Sequence, residues 1–130
     1  MTNKIQKIQE DFLLDYSRIF IRGEINEDSE EKFTTSLRYL ISKNIKTIYV
    51  YINSEGGDID SACAMIDEIN GAKSQGFSIT TISLGKSYSA AAYILTFGTK
   101  RYATENSTIM LHPILFDLDM DYIVNQKAYT

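Results

Sequence analysis

A single cysteine, Cys63, rules out an intrachain disulfide or a cysteine-based metal cluster, and so fits a reducing compartment. Positive charge is also scarce. The net charge is -4 and the sequence pI is near 4.9, with no Lys/Arg stripe along the chain, which excludes the electrostatic footprint of a nucleic-acid partner. No run approaches the ~20 apolar residues of a membrane span. Met1 to Asp11 is polar, carrying Lys4, Lys7, Glu10 and Asp11, and lacks the apolar stretch of a secretory signal. The expectation is a soluble cytoplasmic protein with no membrane partner.

With one proline, seven glycines, 44% hydrophobic and 23% charged residues, the 130-residue chain has the balance of one folded domain spanning residues 1–130. Short β-branched or aromatic runs alternate with segments of helical period, the pattern of an α/β fold. Arg18–Arg22 reads as a strand. Ser29–Ser42 reads as a helix with Phe33, Leu37, Leu40 and Ile41 on one face, opened by a capping-box-like Asp28 and Glu31. Lys46–Asn53 is the strongest strand, and the turn Ser54-Glu55-Gly56-Gly57 leads from it into a helix over about Asp58–Ala72, with Ala62, Met65, Ile66 and Ile69 at helical spacing. The arrangement then repeats: Ser78–Ser83 as strand, Gly85 at the turn, Ser87–Phe97 as an Ala-rich helix. Lys100–Ala103 and Thr108–His112 are further short strands. Leu118–Ala128 opens another helix whose apolar positions Tyr122, Ile123 and Ala128 reach Thr130 without a stop signal, so the chain is expected to be a piece of a longer protein.

Chemistry belongs at the two strand-to-helix turns, where the first N–H groups of a helix lack intrahelical partners and suit an oxyanion. Gly56-Gly57 lets the backbone approach a ligand or an extended peptide without a Cβ in the way. Ser89 is expected in the first turn of the second helix, followed by Ala90, Ala91 and Ala92, small enough to pack closely round a nucleophile. Each feature has a plainer explanation: a Gly-Gly connection is usually only a tight turn, a Ser at a helix start is usually a cap, and a lone histidine such as His112 is more often a packed or surface residue.

The three segments together are specific. Tyr49-Val-Tyr-Ile-Asn-Ser-Glu-Gly-Gly57, Gly85-Lys-Ser-Tyr-Ser-Ala90 and Asn106-Ser-Thr-Ile-Met-Leu-His112 resemble, in order, the YINSPGG, GxAAS and NSxxMIH segments of the ClpP family of serine peptidases. The match covers roughly residues 46–112, with Asp15 to Asn44 agreeing less distinctively. The resemblance implies a crotonase/ClpP-like ββα superhelix. It further implies a catalytic pair of Ser89 as nucleophile and His112 as general base, and an oxyanion hole formed by the N–H groups of Gly57 and Ala90. Gly56 and Gly57 would flank the edge where an extended substrate pairs. The implied activity is that of the serine endopeptidase subunit of an ATP-dependent Clp-type protease. Its implied partners are peptides or unfolded proteins, further copies in a heptameric ring and an AAA+ unfoldase docked at a groove that Tyr49 and Tyr51 help line, with core packing the plainer explanation of these tyrosines on whichever face points inward. No cofactor or metal is called for.

The chain also departs from that pattern. The family completes a triad with an Asp well downstream of the histidine, and this chain reaches Thr130 first. Asp117, Asp119 and Asp121 read as a solvated segment, and a calcium loop there lacks its Gly and bidentate Glu. Glu55 stands where the family has Pro, Ser87-Tyr88 where it has an Ala pair, and Pro113-Ile114 where it has Gln-Pro and a Gly-rich segment. The handle region is incomplete. A catalytically silent structural or regulatory subunit is the alternative these departures leave, and acyl-CoA chemistry on the same fold is a more remote one.

Overall fold

The computed structural model describes Lys4 and residues 17–112. Within residues 17–112 the elements follow in order: β1 (Arg18–Arg22), α1 (Glu27–Ser42), β2 (Thr47–Ser54), α2 (Ile59–Ser74), β3 (Ser78–Tyr88), α3 (Ala90–Thr96), β4 (Lys100–Ala103) and β5 (Thr108–Met110). Every strand pairing is parallel, in the order β1-β2-β3-β4, with β5 paired to β3 beyond β4. The expected helix over Leu118–Ala128, the segment Pro113-Ile114 and Asp117, Asp119 and Asp121 lie outside the described residues.

Parallel strands joined by helices must bury an apolar strand face beneath those helices. Ile19 and Ile21 of β1, Ile48, Val50 and Ile52 of β2 and Ile79 of β3 do so. They pack against Phe33, Leu37 and Leu40 of α1, Ala62, Met65 and Ile69 of α2, and Ala90, Ala91 and Ile94 of α3. The helices touch in series, α1 to α2 and α2 to α3, so they form one layer on one face of the sheet. The other face of β1 and β2 presents Arg18, Phe20, Arg22, Tyr49 and Tyr51. Phe20 and Tyr51 stack there with ring centroids 5.7 Å apart and Arg22 lies over Phe20. Tyr49 and Tyr51 are therefore not core residues: Tyr49 is exposed and Tyr51 half-buried.

Helix α1 starts earlier than its sequence suggests. Its box is Asn26 with Ser29: Ser29 N–H donates to Asn26 Oδ1 and Asn26 N–H to Ser29 Oγ, both at 2.9 Å. Ile25, fixed by its bridge to Gly57, sets the point from which the helix must begin, two residues ahead of Asp28. Helix α2 is capped by Asp58, whose Oδ2 accepts from the Ser61 hydroxyl at 2.8 Å and the Ser61 N–H at 2.9 Å.

The Ser61 hydroxyl bond first, and then the Ser61 N–H bond, hold the Asp58 carboxyl below the ordinary carboxylate range. A carboxyl with a folded value below its unfolded one stabilises fully above the unfolded value, about pH 4, and loses that contribution as pH falls through the folded value. Asp58→Asn keeps an acceptor without the charge. The melting-temperature advantage of the wild type over Asp58→Asn, followed by circular dichroism, should therefore shrink on acidification from pH 6 to pH 3. A gap that stays constant across that window would show that the charge contributes nothing.

Candidate active site

Strand β3 is longer than expected and does not end at Gly85. It runs on to Tyr88, and its register against β2 slips on the way: Ile52 faces Ser83 but Ser54 faces Ser87, so four steps of β3 (87 − 83) match two of β2 (54 − 52). Gly85, at φ 81°, sits in this bulge with the Asn53 side chain against it; a Cβ there would meet Asn53 Oδ1 at 3.1 Å. The buried Ser83 and Ser87 hydroxyls bond across it at 2.7 Å. Before the bulge β3 pairs with β4 through Thr80–Ser83, and after it with β5 through Lys86–Tyr88. A bulge re-aims a strand. This one hands the edge of β3 from one partner to the next, so the end of β5 arrives beside the residue that follows Tyr88.

That residue is Ser89. It is the N-cap of α3 and not a first-turn residue, with φ 55° and ψ -121°. These are the angles of the first central residue of a type II′ turn, a position dominated by glycine. A side chain held there costs about 1–3 kcal/mol. Its hydroxyl makes no capping bond, so the plain explanation of Ser89 as a helix cap does not account for it. Its N–H donates to Met110 O at 2.8 Å, and its carbonyl accepts from Tyr93 N–H at 3.2 Å.

The Gly56-Gly57 turn packs directly on this corner. Gly56, at φ 97°, lies so close that a Cβ would meet Tyr88 O at 2.6 Å, Ser89 Cβ at 3.1 Å and Ala90 N at 3.3 Å. Ser54, buried, holds the turn from within by accepting Gly56 N–H on its hydroxyl at 3.0 Å, a side-chain turn of the kind serine favours. The loop after β1 holds it from outside, through Ile25 N–H to Gly56 O at 2.9 Å and Asp58 N–H to Ile25 O at 2.8 Å. Gly57, at φ 151°, backs onto Ile25 so tightly that a Cβ would collide with the Ile25 carbonyl oxygen. Among the described residues neither Gly57 N–H nor Ala90 N–H has a hydrogen-bond partner.

The structure thus brings four expected residues, Gly56, Gly57, Ser89 and Ala90, to one corner. It places the fifth, His112, just past the end of β5, exposed, with its carbonyl accepting from the Tyr93 hydroxyl at 3.2 Å. Glu55, within the turn, is exposed, and Tyr88, just before Ser89, is half-buried. Sequence reasoning missed Asn53, Ser54 and Tyr93. Ser54 carried a readable signal, a serine two residues ahead of a glycine turn; Tyr93, four residues after Ser89 on a helix, could also have been placed. Among the described residues no group of His, Cys, Asp and Glu could hold a metal ion, and no helix is long and apolar enough to cross a membrane.

Comparison with known proteins agrees with this architecture. The family model for Clp protease matches residues 2–118. An ATP-dependent Clp protease proteolytic subunit from Ligilactobacillus salivarius is 36% identical over 97 residues, covering 72% of this chain and 48% of the relative. The chain thus spans about half the length of the curated relative it matches. The crystal structure of the ClpP protease catalytic domain from Plasmodium falciparum superposes with a TM-score of 0.78 at 31% identity, covering 95% of this chain and 67% of that one. The parallel α/β layer is accordingly the ClpP catalytic-domain fold, and the chain belongs to the Clp protease family.

Proposed function

We propose that the chain is a serine endopeptidase subunit of a Clp-type ATP-dependent protease, with Ser89 as nucleophile and His112 as general base. The observation that carries this reading is the Ser89 corner: a strained, uncapped serine packed against a glycine turn, beside two N–H groups, those of Gly57 and Ala90, that have no partner among the described residues. A serine hydroxyl is a weak nucleophile at neutral pH, so a neighbouring imidazole must take its proton as Oγ attacks the scissile carbonyl. The carbonyl oxygen becomes an oxyanion, accepting from Gly57 N–H and Ala90 N–H. Collapse expels the amine, which leaves with the proton carried by His112. Water, deprotonated by the same imidazole, then hydrolyses the ester on Ser89. In the family an Asp downstream of the histidine orients its imidazole.

The substrates are peptides or unfolded proteins, bound extended beside Gly56 and Gly57. The partners are further copies of the chain in a ring and an AAA+ unfoldase docked on the Phe20, Tyr49 and Tyr51 face. The reading is tested by incubating the folded protein with a serine-reactive fluorophosphonate and locating the adduct by peptide mass spectrometry, with heat-denatured protein as control. A native-only adduct on Ser89 is the expected result. Labelling elsewhere, or none, overturns it in favour of a catalytically silent subunit.

A further inference from the structure

We propose that Tyr93 is a positioning residue that fastens the His112 main chain to the helix carrying the nucleophile. Strand β5 is three residues long and exposed throughout, so little packing holds it. Its ladder to β3 ends at the Met110–Tyr88 pair. Past the ladder, Ser89 N–H donates to Met110 O at 2.8 Å and the Tyr93 hydroxyl donates to His112 O at 3.2 Å. The second reaches the histidine itself. Tyr93 is four residues on from Ser89, and its N–H donates to the Ser89 carbonyl, so one residue joins both the Ser89 and the His112 backbones. A side chain that ties a core-packed helix to a short exposed strand limits how far the strand drifts from it, and a strand with few buried contacts is where such drift is expected.

The consequence for catalysis rests on the Ser89–His112 reading above. A base that wanders relative to its nucleophile spends less time in bonding geometry, and small displacements lower the rate steeply. A net hydrogen bond in a solvent-accessible place corresponds to about a 3- to 10-fold effect.

The test is Tyr93→Phe in the full chain, which removes one oxygen. His112 is the chain's only histidine, so its imidazole proton resonances are assigned by inspection. The expected result is narrower imidazole lines, a 3- to 10-fold slower phosphonylation of Ser89, and circular dichroism like that of the wild type. A nearby core change, Ile94→Val, serves as control: it should lower the melting temperature and move neither the line width nor the rate. Unchanged imidazole lines in a folded Tyr93→Phe variant would overturn the clamp, as would lines that narrow equally in Ile94→Val. Failure of the wild type to label at Ser89 would instead overturn the catalytic reading, while the imidazole comparison would still decide the clamp.

Discussion

Ser89→Ala is expected to lower peptide turnover by about a million-fold and to abolish phosphonylation, while the protein stays folded. The magnitude follows from the pairing of roles: with the nucleophile gone, the base has no proton to take, and only binding and the oxyanion donors remain. His112→Ala should cost about as much. The double variant should be no worse than either single one, because the two groups act as a unit. Alanine keeps the Cβ at φ 55°, so the backbone of the corner is as strained as before and the melting temperature should hardly change. The measurement is hydrolysis of a fluorogenic peptide by the purified variants, with thermal melts alongside. Turnover within a factor of ten of wild type in Ser89→Ala would remove Ser89 from the mechanism.

Gly57→Ala should lose both rate and stability, for separable reasons. At φ 151° a side chain is strained whatever space surrounds it, and here the space is already filled by the Ile25 carbonyl oxygen. The turn must shift away from β1. Its N–H then leaves the position from which it can meet an oxyanion, a loss of about 100–1,000-fold in turnover. Breaking the Ile25–Gly57 bridge also loosens the start of α1 and the cap of α2, so the melting temperature should fall. Gly23→Ala is the comparison that separates the two effects. Gly23 also has positive φ, 77°, but among the described residues nothing lies within 4 Å of an added Cβ. It should therefore melt lower through backbone strain alone, with turnover preserved. Equal turnover in the two variants would mean that Gly57 N–H takes no part in the reaction.

The layout of strands and helices was legible because their apolar periods are strong. The Ile48, Val50 and Ile52 face of β2 and the Phe33, Leu37 and Leu40 face of α1 are direct readings of period 2 and of helical spacing. The residues of the candidate corner could be picked out of the sequence, but not the way they come together. Gly85 looked like a turn because glycine between a strand and a helix usually is one; in fact the strand continues through it, since Asn53 and the Ser83–Ser87 bond support a bulge that no local pattern announces. Asn26 lost out to Asp28 in the sequence reading because caps are chosen by where the preceding chain is anchored, and that anchor, Ile25 on Gly57, lies more than thirty residues away in sequence. Ser89 was readable as a candidate nucleophile only through its companions. Its left-handed backbone is a property of the tertiary corner, imposed by Gly56 behind it and by Met110 alongside.

The Ser89 backbone sets a limit on laboratory evolution of this chain. Glycine reaches φ 55° and ψ -121° without steric penalty, so Ser89→Gly should melt higher than the wild type, while the proposed mechanism expects it to lose turnover. A library selected for heat resistance alone would enrich glycine at position 89 and drift towards inert variants. On the proposed mechanism a screen that demands turnover at each round would hold serine there, and the interval between the two melting temperatures would measure directly how much stability the corner gives up to carry a side chain at position 89.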